Sequence, residues 1–408
     1  MSNGSARQAL TALVAGVASL LTGCVGAQVT STSGTPPPTT SIAISPPATP
    51  GAAATTLAAG TVHTCVVTRS GGVSCWGDNE DGQLGDGTTT RRRSVMQVSG
   101  LSDVRSLTAG VGHTCVLTGT GGVMCWGANA DGQLGDGSRT RRLVPVDVAG
   151  LAAGVRTIAA GAHHTCAATG TGTVLCWGAA WGRAYADGER IEAARRESVP
   201  TAVNGLDGVV ALAAGESHTC ALTSAGELRC WGWNGDGQLG DTTTTSSATP
   251  VTVAGGSGVR AVSAGWGHTC AIAGDTVSCW GANESGQLGD GTTAERHSPT
   301  PTVGLASAVA GITAGDRHTC ALLQNGAISC WGDNSLWQLG AKTTEERRPT
   351  PIPVPGLAGP AREVAAGGLH TCALEQGLVQ CWGSNEYGQL AAGSSASQAT
   401  AVDVLTLE

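Results

Sequence analysis

His113-Thr-Cys-Val-Leu-Thr-Gly-Thr-Gly-Gly-Val-Met-Cys-Trp-Gly-Ala-Asn-Ala-Asp-Gly-Gln-Leu-Gly135 decides the fold. An apolar run from Cys115 breaks at Gly121-Gly122, resumes at Val123 and ends in a Gly-rich loop. Short runs with period-two alternation and glycine breaks read as two antiparallel strands joined by a tight turn. The stretch then recurs along the chain. His-Thr-Cys begins at His63, His113, His164, His218, His268, His318 and His370, at spacings of 50 to 54 residues. A Cys-Trp-Gly follows each time, with Trp76, Trp126, Trp177, Trp231, Trp280, Trp331 and Trp382. Asn-x-x-Gly-Gln-Leu-Gly comes next, as at 79–85, 129–135, 234–240 and 283–289. A segment ending in Ala-Gly precedes each His-Thr-Cys, as at 57–60 and 155–161, and a Pro/Val segment such as 144–148 closes each unit.

Four short strands in about 50 residues, seven times over, predict an all-β chain. The expected architecture is a seven-bladed β-propeller of four-stranded antiparallel blades over 57–408. No apolar period of 3.6 runs for ten residues, which disfavours a helical solenoid, and the coils of a β-helix are shorter. Composition agrees: 63 Gly, no Phe and 3% aromatics suit many small, similar interfaces, each with one Trp, rather than one large core. The segments 57–60 and 400–406 read as an inner and an outer strand. Whether the ring closes with consecutive blades or by strand exchange stays open.

These motifs, Gly-x-x-His-Thr, Gly-x-Val-x-Cys-Trp-Gly and Asn-x-x-Gly-Gln-Leu-Gly, resemble the regulator of chromosome condensation repeat family across 57–408. The resemblance implies the propeller fold. It says less about function, since propellers host unrelated activities. It implies guanine nucleotide exchange on a small GTPase as one alternative, and enzyme inhibition of the β-lactamase-inhibitor kind as another.

The segment before the repeats reads as an address. Residues 1–23 have a polar start with Arg7 and an apolar run from Ala9 to Leu21, too short to span a bilayer. Leu21-Thr-Gly-Cys24 resembles a bacterial lipobox, which implies cleavage before Cys24 and acylation of its thiol. Val25 after the cysteine favours the outer membrane. Residues 24–56, rich in Ser, Thr and Pro, read as a tether. The expected location is the bacterial cell envelope, as an outer-membrane lipoprotein facing the periplasm or the surface. A GTPase exchange role fits that location poorly.

Of the 15 cysteines, Cys24 stands apart and the other fourteen fall two to a repeat. The pairs are Cys65–Cys75, Cys115–Cys125, Cys166–Cys176, Cys220–Cys230, Cys270–Cys279, Cys320–Cys330 and Cys372–Cys381. Ten-residue spacings fit three-residue turns with Gly71, Gly121, Gly172, Gly226 and Gly326 in the left-handed third position. Nine-residue spacings fit the two-residue turns Gly274-Asp275 and Gln376-Gly377. Either way the two cysteines face each other at a non-hydrogen-bonded pair, within disulfide reach. Seven disulfides are expected; fourteen free thiols are the alternative. A metal cage finds no Cys-x-x-Cys, and neither a metal nor a cofactor is expected.

Candidate chemistry is thin. The repeat histidines and tryptophans stand at equivalent places in every blade, which suits architecture. His163 and His297 lie outside the repeat and are expected at the surface. No catalytic residue emerges, and a net charge of −8 argues against nucleic-acid binding. Departures from the repeat carry more information. Blade 3 has Trp181, Arg183 and Tyr185 in a longer loop, and Trp233, Trp266 and Trp337 also lie outside the pattern. The loops joining the first to the second strand and the third to the fourth share one face. That face also carries Arg91, Arg141, Arg196, Arg296 and Arg347, each seven residues before the final Val of the outer strand, with Ser246 and Ser397 completing the set. The expected function is a non-catalytic binding or scaffold module. It would act as a monomer, held to the membrane by the lipid alone. Trp181, Arg183, Tyr185, Trp233 and Trp266 are its expected binding residues. The arginines favour an anionic protein patch or acidic polysaccharide. A lyase or glycosidase is the catalytic alternative; paired carboxylates at one mouth of the channel would favour it.

Overall fold

The computed structural model describes residues 56–179, 185–186, 189–190 and 196–406. Seven four-stranded antiparallel sheets span 57–98, 104–147, 155–203, 209–252, 259–301, 309–353 and 361–406. In blade 2 the strands, inside to outside, are A (Val104–Ala109), B (His113–Thr118), C (Val123–Gly127) and D (Arg142–Asp147), and the other blades repeat this order. Each blade is consecutive chain, so no strand is exchanged at closure. The seam between blades 7 and 1 is made as at five other junctions: Trp76 Nε1 donates to Gln389 O at 2.8 Å. Leu57, Trp76 and Ala59 share a core cluster with Leu374, Val379 and Leu390.

All seven cysteine pairs are disulfides with Cα–Cα of 4.0–4.1 Å. The left-handed turn glycines hold as expected, with φ between 77° and 85° at Gly71, Gly121, Gly172, Gly226 and Gly326. Each bridge closes a short loop, for which chain entropy gives about 2–3 kcal/mol.

Adjacent blades are joined by a repeated polar seam under the apolar one. In six junctions the Trp indole donates to the Gln carbonyl of the preceding blade, at 2.8–3.0 Å. The same carbonyl accepts the hydroxyl of the adjacent repeat Thr, as Gln83 O does from Thr114. The repeat His of the preceding blade meets that Thr Oγ1 at 2.8–3.0 Å in all seven junctions. A hydroxyl has one proton. Where it goes to the Gln carbonyl, the His Nε2 must be the donor, which fixes that tautomer. The other ring nitrogen, Nδ1, then carries a lone pair and has no partner in any of the seven. It faces the glycine that ends strand A: a Cβ on Gly110 would stand 2.3 Å from His113 Nδ1 and 2.8 Å from Gly161 O.

The outer edges are blunted. Pro145, Pro200, Pro250, Pro299 and Pro351 precede the strand-D residue that pairs with the strand-C cysteine. The backbone there points away from the sheet, so a missing N–H removes an edge donor without breaking the ladder.

Candidate docking face

The seven repeat histidines are absorbed by architecture. Burial pushes His63, His113, His218, His268, His318 and His370 down to about 3 and His164 to about 4, so all are neutral at neutral pH. His163, expected at the surface, is half-buried in its A–B loop, with Nδ1 3.5 Å from Asp131. His297 has a side chain 42% exposed.

The aromatic residues outside Cys-Trp-Gly are one-sided. Trp233, Trp266 and Tyr387 are half-buried and Trp337 is exposed. Trp266 lies in the A–B loop of blade 5, and the other three lie in C–D loops, so all four share one face. Among the described residues the opposite face has none. That side carries tight turns and, in blade 2, a shallow groove of about 450 Å³ lined by Thr118, Thr120, Met124 and Asp147. Trp337 stands where other blades have the glycine of Asn-x-x-Gly, and it keeps the glycine conformation, φ 65°. An L-residue held there is strained, and such strain clusters at functional sites. Trp181 and Arg183 lie outside the described residues. Tyr185 belongs to a two-residue strand, Tyr185–Ala186, paired with Glu189–Arg190.

Strand register corrects one expectation. Arg296 pairs with the Gly of Cys-Trp-Gly, as Arg92 and Arg142 do. All three arginines bind the Asp six residues earlier, at 2.6–2.7 Å. Blade 5 has one more residue between the cysteine-paired position and the final Val, which shifts the count by one. The residue that matches Arg91, Arg141, Arg196 and Arg347 is therefore Glu295.

Those four arginines act as clasps between blades. Arg141 donates to Glu80 O at 3.2 Å and lies against Asp81. Arg196 meets Asp131 at 3.2 Å, and Arg347 donates to Glu284 O at 3.3 Å. Arg91 stacks 4.6 Å from the ring centre of Tyr387 and also binds Asp78 and Glu80 of its own blade. In each case the arginine sits over the C–D loop of the preceding blade.

At the junction of blades 4 and 5 the pattern inverts. Asp236 occupies the place of Asp81 and Asp131, but the following blade presents Glu295. Burial, then Glu295 and Glu284, push Asp236 up to about 6, while His297 draws it down. Glu216, in the A–B loop of blade 4, accepts the Trp266 indole N–H. Burial raises its carboxyl to about 7, the indole bond opposes this, and Asp236 adds to it. The Arg317 guanidinium stands 5.2 Å from the centre of the Trp266 ring. Trp233 folds back over its own loop: a Cβ on Gly235 would be 2.4 Å from the indole. The A–B loop of blade 5 comes close here: a Cβ on Gly267, which follows Trp266, would be 2.9 Å from Asp236 Oδ2. Only register could reveal this notch, since Asp236 fits the repeat and the extra residue in blade 5 hides Glu295.

Sequence models described as Regulator of chromosome condensation (RCC1) repeat match residues 70–117, 120–168, 225–272, 276–322 and 325–374. A second of the same description matches 54–83, 104–133, 209–238, 309–336 and 361–389. The chain belongs to the RCC1 repeat family. It is similar to the ultraviolet-B receptor UVR8 of Arabidopsis thaliana, 31% identical over 352 residues, covering 83% of this chain and 79% of the receptor. It is 32% identical over 265 residues to the secretion-regulating guanine nucleotide exchange factor of Bos taurus, covering 59% of this chain and 47% of that protein. The chain thus spans about half the length of the exchange factor. The crystal structure of Prp20p from Saccharomyces cerevisiae superposes with a TM-score of 0.72 at 21% identity, covering 85% of this chain and 86% of that one. That likeness confirms the fold. Within this chain, the departures from its own repeat are the longer third-to-fourth-strand segment of blade 3 and the acid-on-acid junction of blades 4 and 5.

Proposed function

We propose that this RCC1-type propeller is a lipid-anchored, non-catalytic docking module that binds a protein partner through the face built from its A–B and C–D loops. The one-sided placement of Trp233, Trp266, Trp337 and Tyr387 carries this reading, since half-exposed aromatics anchor interfaces. Relatives support it: one is named a guanine nucleotide exchange factor, and Prp20p has binding properties to Gsp1p and histones. The arginines that suggested an anionic partner are engaged by the protein's own carboxylates, carbonyls and Tyr387. The acidic charge of this face is concentrated in the loops of blades 4 and 5. Cys24 and the tether would hold the module at the envelope; both lie outside the described residues. If Cys24→Ala still yields a processed, membrane-partitioning protein, the anchor reading fails.

Trp337→Gly tests the docking face. The change relieves a positive φ, so stability should rise by about 1 kcal/mol. On the docking reading, capture of envelope proteins by the same variant falls. A variant that is more stable and captures unchanged, together with capture insensitive to Trp233→Ala and Trp266→Ala, removes this face from the function. A second reading has one observation behind it. Glu216 and Asp236 are two carboxyls with raised pKa at one mouth, the arrangement of an acid–base pair. Polysaccharide cleavage abolished by Glu216→Gln would favour the hydrolase.

A further inference from the structure

Four junctions of this propeller show what fits over a C–D loop, and in each it is a guanidinium. The junction of blades 4 and 5 keeps the receiving half of that arrangement, Asp236, and replaces the arginine with Glu295. The loops of blades 4 and 5 on this face carry Glu216, Asp236, Asp241, Glu284, Asp290 and Glu295. Among the described residues, Asp290 alone of these six carboxylates pairs with an arginine, Arg296 at the start of its own outer strand. His297 stands 3.9 Å from Glu295 and is charged only when protonated.

We propose that this notch receives an arginine or lysine side chain of the protein partner, which supplies the cation that the protein's own arginines supply elsewhere. The inference rests on the docking-face reading and names the chemistry of its centre. Asp236 and Glu295 face each other across the junction, so an incoming cation relieves a repulsion as well as forming a pair. Trp233 lies over the loop that holds Asp236, and Trp266 is the next indole along the mouth. Trp266 already carries the Arg317 guanidinium, which shows that these rings accept such a group. A partner bearing acidic side chains would add like charge to a region that already has an excess.

The experiment uses the full chain with its disulfides intact. The probe is a fluorescein-labelled glycine–serine peptide carrying two arginines, beside its lysine and glutamine forms. Binding is read by anisotropy at about 20 mM and about 300 mM salt, on either side of strong screening. The arginine and lysine peptides should bind about tenfold tighter than the glutamine form, with the preference shrinking in high salt. Glu295→Arg restores the residue found at four other junctions, so it should fold and keep its melting temperature while losing that preference. Glu386→Arg makes the same charge change on the same face at blade 7 and should leave binding within about twofold. Equal loss in both variants would mean diffuse attraction to net charge and would overturn the notch. So would an unchanged preference in Glu295→Arg. If the peptide shows no preference while Trp337→Gly still weakens capture, the notch falls and the docking face stands. If neither responds, both fall.

Discussion

Acidification should unfold this propeller through its histidine ring. Seven imidazoles are buried, each with Nε2 committed to a threonine and Nδ1 packed against a glycine with no hydrogen-bond partner, so a second proton would be buried without a bond. Their pKa values in the fold are about 3, or about 4 for His164, against 6.5 when exposed. A group depressed on folding contributes stability above its unfolded pKa and loses it as pH falls. At pH 5.5 the unfolded chain holds about six more imidazole protons than the fold. Glu216 and Asp236 act in the opposite sense. With folded values of about 7 and about 6, they hold protons that unfolded carboxyls have released, and they offset about one and a half of the six. The net uptake on unfolding is about five protons, or roughly 6–7 kcal/mol per pH unit near pH 5.5. Between pH 7 and pH 6 the loss is about 3 kcal/mol, because the histidines are only starting to charge and Glu216 still compensates. Urea unfolding with disulfides intact, followed by tryptophan fluorescence at pH 7, 6 and 5.5, measures the slope. Proton uptake in weakly buffered solution counts the groups. Stability flat within about 1 kcal/mol from pH 7 to pH 5.5, or uptake near zero, would show that the imidazoles charge within the fold and that the seam is not as described.

Gly110→Ala should cost about 2–5 kcal/mol, since its Cβ is trapped between the His113 ring and Gly161 O, and every blade has glycine there. Gly135→Ala should cost less: its Cβ would stand 2.7 Å from the Trp177 indole nitrogen, but blade 7 carries Ala391 at that place with φ 48° in one cluster with Trp76, so the ring can give way and about 1–2 kcal/mol is expected in the same melts. Thiol titration of unfolded, unreduced protein should find no thiol among the fourteen repeat cysteines, and a count near fourteen would refute the bridges.

Most of the fold was legible because each instruction is local and is written seven times. The turn glycines set the hairpin type, the hairpin type sets which residues face, and two cysteines at nine or ten residues then meet whatever surrounds them. The candidate face was legible only in outline. Alternation of strand direction put Trp233 and Trp266 on one side, and the structure agrees. The role of the arginines was not legible, because Arg141, Arg196 and Arg347 find their partners on the preceding blade, more than 60 residues away, and Arg91 meets Tyr387 only across the closure of the ring. The basic reading of that face changed when those arginines proved to be occupied.

What the sequence by itself determined is everything within one blade: four strands, their turns, the disulfide and the buried tryptophan, all fixed by neighbours within one repeat. Tertiary structure alone decided what happens between blades. Only there does the Gln carbonyl of one repeat receive the tryptophan and threonine of the next. Only there does the ring close without exchanging a strand. Only register across the outer strand of blade 5 shows Glu295, not Arg296, opposite Asp236. The reason is one of distance: contacts within a blade follow from chain geometry over a few residues. Contacts between blades depend on how a whole sheet twists and packs, and a one-residue shift there exchanges a positive charge for a negative one.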